Sequence, residues 1–271
     1  MRIPTACMAL GTLMVSAQPV AAGGFEIGGG NDGVWSSVER PDEGEVDMRD
    51  EIMDWQYGGR VEVNYQSRSG NTDRSSMNSR FLLAAERENW SHAVELRTQS
   101  ATDAGETDEE RYFLALKSEY EIRATDYIFG AVNFEKDRIQ NIDLETTEAV
   151  GYGRRILKVN AHRLDAEIGA GGRQTRFRDE TPRTSETIMR LATDYRWDIS
   201  DTAQLNHDTR LDIGVGGTDR DVGESITTLS GTLVGDVSLN LSYAVRYDSA
   251  RDGEGETSTD RITSVGLSYR F

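Results

Sequence analysis

Several features that define common protein classes are scarce or missing in this sequence. The one cysteine is Cys7, so a disulfide framework is excluded, and no cluster of Cys and His suggests zinc. After the first residues there is no run of about 18 apolar residues, which excludes a membrane protein built from helices. Lys and Arg number 30 against 47 for Asp and Glu, which argues against nucleic acid as a partner because phosphate binding needs a basic face. Composition alone favours an acidic, soluble protein of the periplasm or the exterior.

The chain begins with the pattern of a cleaved secretory signal peptide, which we predict for residues 1–22. Arg2 supplies the positive charge, residues 6–15 form a short apolar region, and Val20-Ala-Ala22 offers small residues for cleavage by a Sec-type pathway. The cysteine lies inside this segment, so the mature chain has no thiol. Residues 23–57 are rich in glycine and acidic groups, and we interpret them as a periplasmic arm or linker, with a plug folded into the lumen as the alternative.

A strand pattern reverses the preference for a soluble protein from residue 58 onward. Polar and apolar residues alternate with a period of two, which is typical of a strand with one apolar and one polar face. In the last segment Val265 and Leu267 share one parity and Ser268 has the other. The segment near 126–138 is apolar on both parities, so its facing is not predicted. We predict twelve strands, near residues 58–68, 74–87, 90–102, 110–122, 126–138, 145–157, 161–177, 185–197, 202–215, 224–234, 237–250 and 259–271.

The connections between these strands alternate in length. Those after even-numbered strands are tight, such as Glu88-Asn89, whereas those after odd-numbered strands are mostly longer, such as 102–109 and 216–223. Short turns at one end and long loops at the other are typical of outer-membrane barrels with both termini in the periplasm. An even number of strands also lets the last pair with the first, which removes the sheet edges. The sequence therefore predicts an all-β fold, a single antiparallel transmembrane β-barrel of about 12 strands over residues 58–271 in a bacterial outer membrane.

Aromatic residues fall at the two ends of the predicted strands, as in the interfacial girdles of membrane proteins. The terminal aromatic strand also resembles the C-terminal strand of outer-membrane barrels, where that strand is the assembly signal. We therefore expect Tyr269 and Phe271 to engage the barrel-assembly machinery after periplasmic chaperones have escorted the chain. Outer-membrane lipid and lipopolysaccharide are the other expected partners. The girdle residues are Trp90, Tyr120, Tyr127, Tyr195, Trp197, Tyr269 and Phe271 at the turn end, and Tyr65, Tyr112 and Tyr247 at the loop end.

Short stretches in a fixed order carry a resemblance to a known family. They are Ser69-Gly-Asn-Thr-Asp73, Glu110-Arg-Tyr112, Phe134-Glu-Lys-Asp-Arg138, Thr147-Glu-Ala-Val-Gly-Tyr-Gly153, Tyr195-Arg-Trp-Asp-Ile-Ser-Asp201 and Tyr269-Arg-Phe271. In these stretches the chain resembles the YdiY-like family of salt-induced outer-membrane proteins, a domain family of unknown function. The resemblance covers residues 58–271 and implies an outer-membrane location and a barrel architecture. It implies no activity.

Charges on the polar parity are the main functional lead, because they would point into the barrel lumen. They either neutralise one another as a salt-bridged interior or line a hydrated pore whose charge sets selectivity. Barrels of about 8 strands are filled and those of about 16–18 strands hold a channel, so twelve strands favour a narrow path. We predict a narrow, weakly selective pore for ions or small solutes, with a non-conducting structural or envelope-stress barrel as the alternative. Acidic loops at the mouth would give it a weak preference for cations. The candidate lumen charges are Asp165, Glu167, Arg190, Asp194, Asp208, Arg210, Asp212 and Arg246, within a wider inward set of Glu62, Arg80, Glu95, Arg97, Lys117, Glu119 and Arg270.

An outer-membrane hydrolase is a remote alternative, because such enzymes use a Ser–His pair. His92 and His162 lie near short turns, and His207 is on the lipid-facing parity, where a serine of strand 8 or 10 could approach it. No G-x-S-x-G motif occurs, so we predict no enzyme activity and no cofactor. The acidic loops 102–110 and 252–256 carry oxygen ligands but not the EF-hand pattern, and we interpret them as solvated loops without a metal.

Overall fold

The computed structural model is a closed barrel of twelve antiparallel strands. The structure describes residues 55–68, 74–103, 106–138, 140–179, 181–216, 219–251 and 258–271. The predicted signal peptide, nearly all of the predicted arm and the stretch Ser69-Gly-Asn-Thr-Asp73 lie outside the described residues, as does the acidic loop 252–256. Within the described ranges no helix has the length and the apolar character needed to cross a membrane.

The strands follow one another around the barrel in chain order, and β12 returns to pair with β1. This arrangement confirms the predicted all-β, twelve-stranded barrel. The strands are β1 Gln56–Arg68, β2 Arg74–Arg87, β3 Trp90–Asp103, β4 Glu106–Arg123, β5 Asp126–Asp137, β6 Ile142–Val159, β7 His162–Phe177, β8 Thr184–Ser200, β9 Ala203–Gly214, β10 Val222–Val234, β11 Val237–Asp248 and β12 Thr259–Arg270, with a short 3₁₀ turn at Ser249–Arg251 before β12.

The alternation along each strand sorts side chains between the membrane face and the lumen. In β9 the side chains of Asn206, Asp208 and Arg210 are buried inside, whereas Leu205 and Leu211 have the opposite parity. Within the barrel wall the backbone hydrogen bonds join neighbouring strands, so apolar side chains can face lipid without leaving polar backbone groups there. The lumen is therefore mostly polar, with a few buried apolar side chains such as Leu82 and Phe113, and the exposed large apolar residues lie mainly on the outer face.

Strand β5, whose facing the sequence left open, turns aromatic rings inward. Tyr127 is fully buried and Phe129 nearly so, while Ile128 between them is exposed on the outer face. The prediction that Tyr127 belongs to the turn-end girdle is therefore wrong. Its ring lies over Gly153 of the adjacent strand β6, at the position where a side-chain Cβ would stand. The missing Cβ opens a place for the ring against the inner wall, and the phenol oxygen finds a polar partner there.

Connections after the even strands are tight, as predicted, and each has two residues between the strands. Gly235, the first residue of one such turn, has a φ of 54°, a conformation that glycine adopts without strain. The connection between β3 and β4 is shorter than the predicted loop 102–109, because β3 runs to Asp103 and β4 starts at Glu106. The two strands stay paired there through polar residues. They need no apolar face, because this part of the hairpin is not in lipid.

The seam between β1 and β12 closes the barrel. Its Cα register runs only from Arg60, opposite Arg270, to Val63, opposite Leu267. Two backbone hydrogen bonds extend it, from Gly59 N to Phe271 O at 2.9 Å and from Phe271 N to Gly59 O at 3.0 Å. The ring of Phe271 lies over Gly59 on the outer face, where a larger residue would collide with it.

Candidate functional site: the charged lumen

The predicted lumen charges all lie on strands whose polar parity faces the barrel interior. Glu167, Arg190, Asp208, Arg210 and Asp212 are buried, and Asp165, Asp194 and Arg246 are partly exposed. The alternating strands account for this placement, because every second side chain of β7, β8, β9 and β11 points inward. The structure does not gather these residues into one site, and they divide among separate contacts along the lumen.

One contact joins Arg190 of β8 to Asp212 of β9 across adjacent strands. Arg190 Nε donates to Asp212 Oδ1 at 2.6 Å and Nη2 donates to Oδ2 at 2.7 Å. The two side chains are 0% and 4% exposed, so this is a buried bidentate pair. Arg210 is the inward-facing residue of β9 that precedes Asp212, and its Nε lies 3.7 Å from the same carboxylate. Asp212 therefore compensates two guanidinium groups at once.

A second contact crosses the lumen between β4 and β7. Lys117 Nζ lies 2.5 Å from Glu167 Oε1 and 2.8 Å from Glu119 Oε1. The buried phenol of Tyr127 donates to the same Glu167 oxygen at 2.8 Å. The ammonium also lies 5.3 Å from the centre of the Phe129 ring. This cluster fills one side of the lumen with a paired cation and two rings.

A third contact links nearly opposite walls. Arg97 Nη1 of β3 approaches Glu224 Oε1 of β10 at 3.4 Å, and Arg246 Nε of β11 donates to the same oxygen at 2.9 Å. Arg97 is held by Phe113, whose ring centre is 4.1 Å from its guanidinium carbon. The sequence prediction omitted Glu224 because the alternation in β10 is weak, with Ile226 on the inward parity.

The connection between β9 and β10 places Arg220 in the loop end of the lumen. Its Nη1 donates to Glu145 of β6 at 2.6 Å, and its Nε and Nη2 donate to Asp248 of β11 at 2.8 and 2.6 Å. Arg173 of β7 donates to the Arg220 carbonyl. Burial alone would lower the pKa of Arg220, but the hydrogen bonds to Asp248 and the charge of Glu145 raise it above its ordinary value. The guanidinium is therefore a permanent charge that ties three walls together.

Sequence reasoning missed Arg220 because strand alternation says nothing about residues in loops. A single arginine in a connection of acidic and glycine residues was the only available signal. Asp165, Asp194 and Asp208, by contrast, were predicted, and they lie in register on three adjacent strands. They line the turn half of the lumen, away from the contacts of Arg220 and Glu224. Among the residues that the structure describes, no group of three or more His, Cys, Asp or Glu is arranged to hold a metal ion.

Two of the cavities that the described residues line lie in the loop half of the lumen, with volumes of about 40 and 90 Å³. We name the smaller the mouth cavity and the larger the arginine cavity. Among the described residues that line it, the mouth cavity has five arginines and five carboxylates: Arg111, Arg173, Arg210, Arg220 and Arg246 with Glu135, Glu145, Asp212, Glu224 and Asp248. The described lining of the arginine cavity has four arginines, several amides and hydroxyls, and no carboxylate: Arg80, Arg97, Arg111 and Arg246 with Asn64, Asn78, Ser79, Thr98, Gln99 and Ser264.

The histidines lie on the outer face. His207 Nδ1 is 2.8 Å from Thr227 Oγ1 of β10, so the hydroxyl that approaches it belongs to a threonine rather than the expected serine. The histidine that meets a serine is His92, whose Nδ1 is 2.9 Å from Ser118 Oγ. The rings of Trp55 and Trp90 flank this pair, with centroids 5.4 and 5.7 Å from that of His92. These surroundings are those of an aromatic girdle.

The fold and the sequence can be placed among known proteins. The chain is 24% identical over 215 residues to the "Uncharacterized protein YdiY" of Escherichia coli strain K12, which covers 79% of this chain and 82% of that protein. Among solved structures, the NanC porin covers 78% of this chain and 98% of its own, with a TM-score of 0.50 and 10% identity. The KdgM porin covers 79% and 99%, with a TM-score of 0.45 and 8% identity.

The porin likeness is one of fold, and it identifies the architecture as that of outer-membrane β-barrels. The family is identified by sequence. The model of "Protein of unknown function, DUF481" matches residues 61–271, which run from within β1 through β12. This chain is therefore a YdiY-like protein and belongs to the DUF481 family.

Proposed function

We infer that this barrel is a narrow, weakly selective pore for ions or small solutes in the outer membrane. The observation that carries the proposal is the lumen itself, which is lined by charges and amides and keeps two polar cavities. Polar cavities of this kind hold water, whereas a barrel that served only as a scaffold could be filled with apolar side chains. The porin fold of a structural neighbour, NanC, is consistent with this function.

The ion pairs limit how wide such a pore is. Lys117 with Glu167 narrows the lumen on one side, and Arg97 with Glu224 spans it. Arg220 occupies the loop end through its bonds to Asp248 and Glu145. A water path must pass between these groups, so we expect a small unitary conductance. The excess of 47 acidic over 30 basic residues supports a weak cation preference at the mouth.

The test is single-channel recording of the refolded protein in a planar bilayer, with the reversal potential measured under a KCl gradient. Discrete small steps with a reversal potential of weak cation selectivity are expected. Anion selectivity would contradict the mouth argument, and complete silence from protein that shows heat-modifiable gel mobility would contradict the pore.

A non-conducting envelope barrel of the salt-induced type is the second candidate, and the cross-lumen pairs favour it. Glu167, Lys117 and Arg97 bridge walls that a wide channel would keep apart. In that case a deletion strain should lose envelope integrity under osmotic stress, measured by leakage of a periplasmic marker. A variant that keeps these ion pairs and shows no conductance should restore the integrity. Failure of that variant to restore integrity would contradict this candidate.

We also propose that the chain reaches the outer membrane through a cleaved signal at residues 1–22 and is assembled through Tyr269 and Phe271. The bonds between Phe271 and Gly59 support a role for the terminal residue in closure. Deletion of Phe271 should lower the heat-modifiable, membrane-inserted fraction, with Leu267→Ile as the control on the same face. Full insertion of the deletion variant would contradict the assembly role.

A further inference from the structure

The arginine cavity differs from an ordinary salt-bridged interior in what its wall presents. Four guanidinium groups reach it from β2, β3, β4 and β11, and its described lining has no carboxylate. Each guanidinium carries five N–H donors, so the wall presents donors to a space whose described lining has no carboxylate. An anion in that space would accept charge-assisted hydrogen bonds from them.

The carboxylates that pair with these arginines are not among the described residues that line the cavity. Arg80 Nε donates to Glu95 at 2.7 Å, and Arg246 Nε donates to Glu224 at 2.9 Å. Arg111 uses one nitrogen, Nη2, at 2.6 Å from Glu135. The arginines are therefore anchored by carboxylates beside the cavity, two of which, Glu135 and Glu224, line the neighbouring mouth cavity.

Two buried N–H groups of these arginines make no hydrogen bond. Arg97 Nε is buried and makes no hydrogen bond, although Glu95 Oε1 lies 3.2 Å away at an unsuitable angle. Arg111 Nε is also buried without a hydrogen bond, with Asp137 3.5 Å away. The contacts of Arg97 to Glu224 are long, at 3.4 and 3.5 Å. Buried donors without aligned acceptors cost free energy that a bound acceptor would recover.

Neutral polar groups and the apolar side chains of Phe113, Ile226, Ala244 and Ile262 complete the lining. Asn64 and Asn78 each have a buried side-chain oxygen without a hydrogen-bond partner, and Gln99 lies in the same wall. The cavity volume of about 90 Å³ has room for several water molecules, and hence for a small oxyanion in their place. Phe113 fixes the plane of the Arg97 guanidinium by stacking, so its donors are oriented before any ligand arrives.

We propose that the arginine cavity is a binding site for a small oxyanion, held by Arg97 and Arg111 with Arg80 and Arg246 around it. The shared chemistry is a negatively charged group whose oxygens accept guanidinium N–H bonds, as in a carboxylate, sulfate or phosphate. The site does not depend on conduction, because an anion binds in the cavity whether or not a water path continues through the barrel. In a conducting barrel the bound anion offsets the cation preference of the mouth.

The experiment is isothermal titration of the full chain, refolded in nonionic detergent, with sodium acetate and with sodium sulfate at constant ionic strength. Saturable binding of at least one probe is expected. Asn78→Asp places a carboxylate in the cavity without changing side-chain size, and Arg97→Gln removes the under-bonded donor. Each should weaken binding by roughly tenfold or more. Arg176→Gln, which removes an exposed arginine paired with Asp143 on the outer face, is the charge-matched control and should leave binding unchanged.

The arms of the test separate the outcomes. Tighter binding of acetate identifies carboxylates as the ligands, and tighter binding of sulfate identifies tetrahedral oxyanions; both keep the site. The absence of saturable binding by folded wild-type protein overturns the proposal, and so does equal binding by Asn78→Asp and Arg97→Gln. Silence in a planar bilayer contradicts only the pore, because titration requires no current.

Discussion

The mouth cavity and the arginine cavity are neighbours in one lumen and share Arg111, Phe113 and Arg246, yet their charges are balanced in different ways. In the mouth cavity five arginines face five carboxylates, and Arg220 is bonded on both sides. In the arginine cavity the described lining has no carboxylate, and its arginines pair with Glu95, Glu135 and Glu224 outside that lining. The charged lumen therefore contains two different environments. Ion pairs within the mouth cavity form a constriction, whereas the arginine cavity presents guanidinium donors that a bound anion could accept from.

The largest effect should come from breaking a pair on the balanced side. Asp212→Asn removes the carboxylate that binds Arg190 in a bidentate pair and lies beside Arg210, so a buried charge pair loses one member. The free energy of unfolding should fall by about 3–5 kcal/mol, as for other buried pairs that lose one member. Urea titration in lipid vesicles, followed by tryptophan fluorescence, would measure it. A matched exposed change, Arg176→Gln, should leave the midpoint unchanged, and equal midpoints for the two variants would contradict the comparison.

Removal of Arg220 should open the mouth cavity at a smaller cost. Arg220→Ala deletes charge-assisted bonds to Asp248 and Glu145, worth about 2 kcal/mol in stability. Without that side chain the loop end loses its bridge between β6 and β11, so the unitary conductance should increase and cation preference should strengthen. Single-channel recording beside wild type measures both. Unchanged conductance from the folded variant would place the narrowest point elsewhere, at the Arg97–Glu224 contact.

In the arginine cavity an added carboxylate should stabilise the barrel. Asn78→Asp supplies the missing negative charge among four arginines, and we expect a gain on the order of 1 kcal/mol. Asn89→Asp, the same change at an exposed turn position, is the control and should leave the midpoint unchanged. The measurement is again the urea midpoint in vesicles. A loss of stability for Asn78→Asp would mean that the cavity is already balanced.

The smallest effect is expected from Arg97→Gln. The two carboxylates next to Arg97 each have another arginine as a partner. Glu95 still binds Arg80 and Glu224 still binds Arg246, so neither carboxylate loses all of its partners. Stability should change by less than about 1 kcal/mol, in contrast to Asp212→Asn. Thermal melts with and without sulfate sharpen the contrast, since the stabilisation by sulfate should disappear in the variant. A loss as large as that of Asp212→Asn would show that Arg97 is a structural pair like Arg190.

The barrel was predictable from sequence because the membrane imposes a strict rule on its strands. Every backbone group must be paired and most lipid-facing residues must be apolar, so alternation is visible in β1 to β4 and in β11. The rule failed at β5, where Tyr127 and Phe129 share the inward parity, because a glycine on the neighbouring strand makes room for a ring. That space depends on strand register, which the sequence of one strand does not show.

The candidate site was predictable only in part. Parity placed Arg190, Arg210 and Asp212 inside the barrel without revealing which charges meet. Contacts such as Arg97 to Glu224 join residues far apart in sequence, and barrel curvature decides them. Arg220 was beyond reach because a loop has no periodicity. The division of the lumen into a balanced and an unbalanced cavity therefore follows from the three-dimensional arrangement rather than from composition.

The short seam between β1 and β12 has a consequence for the order in which the molecule forms. Every other ladder joins neighbours in sequence, so its hairpin can form as soon as both strands are present. The seam alone joins the two ends of the barrel domain, and its entropy of closure is the largest in the fold. We therefore expect closure, made by Phe271 at Gly59, to be the final and slowest step. Before closure the sheet has two open edges, and unpaired strand edges favour aggregation.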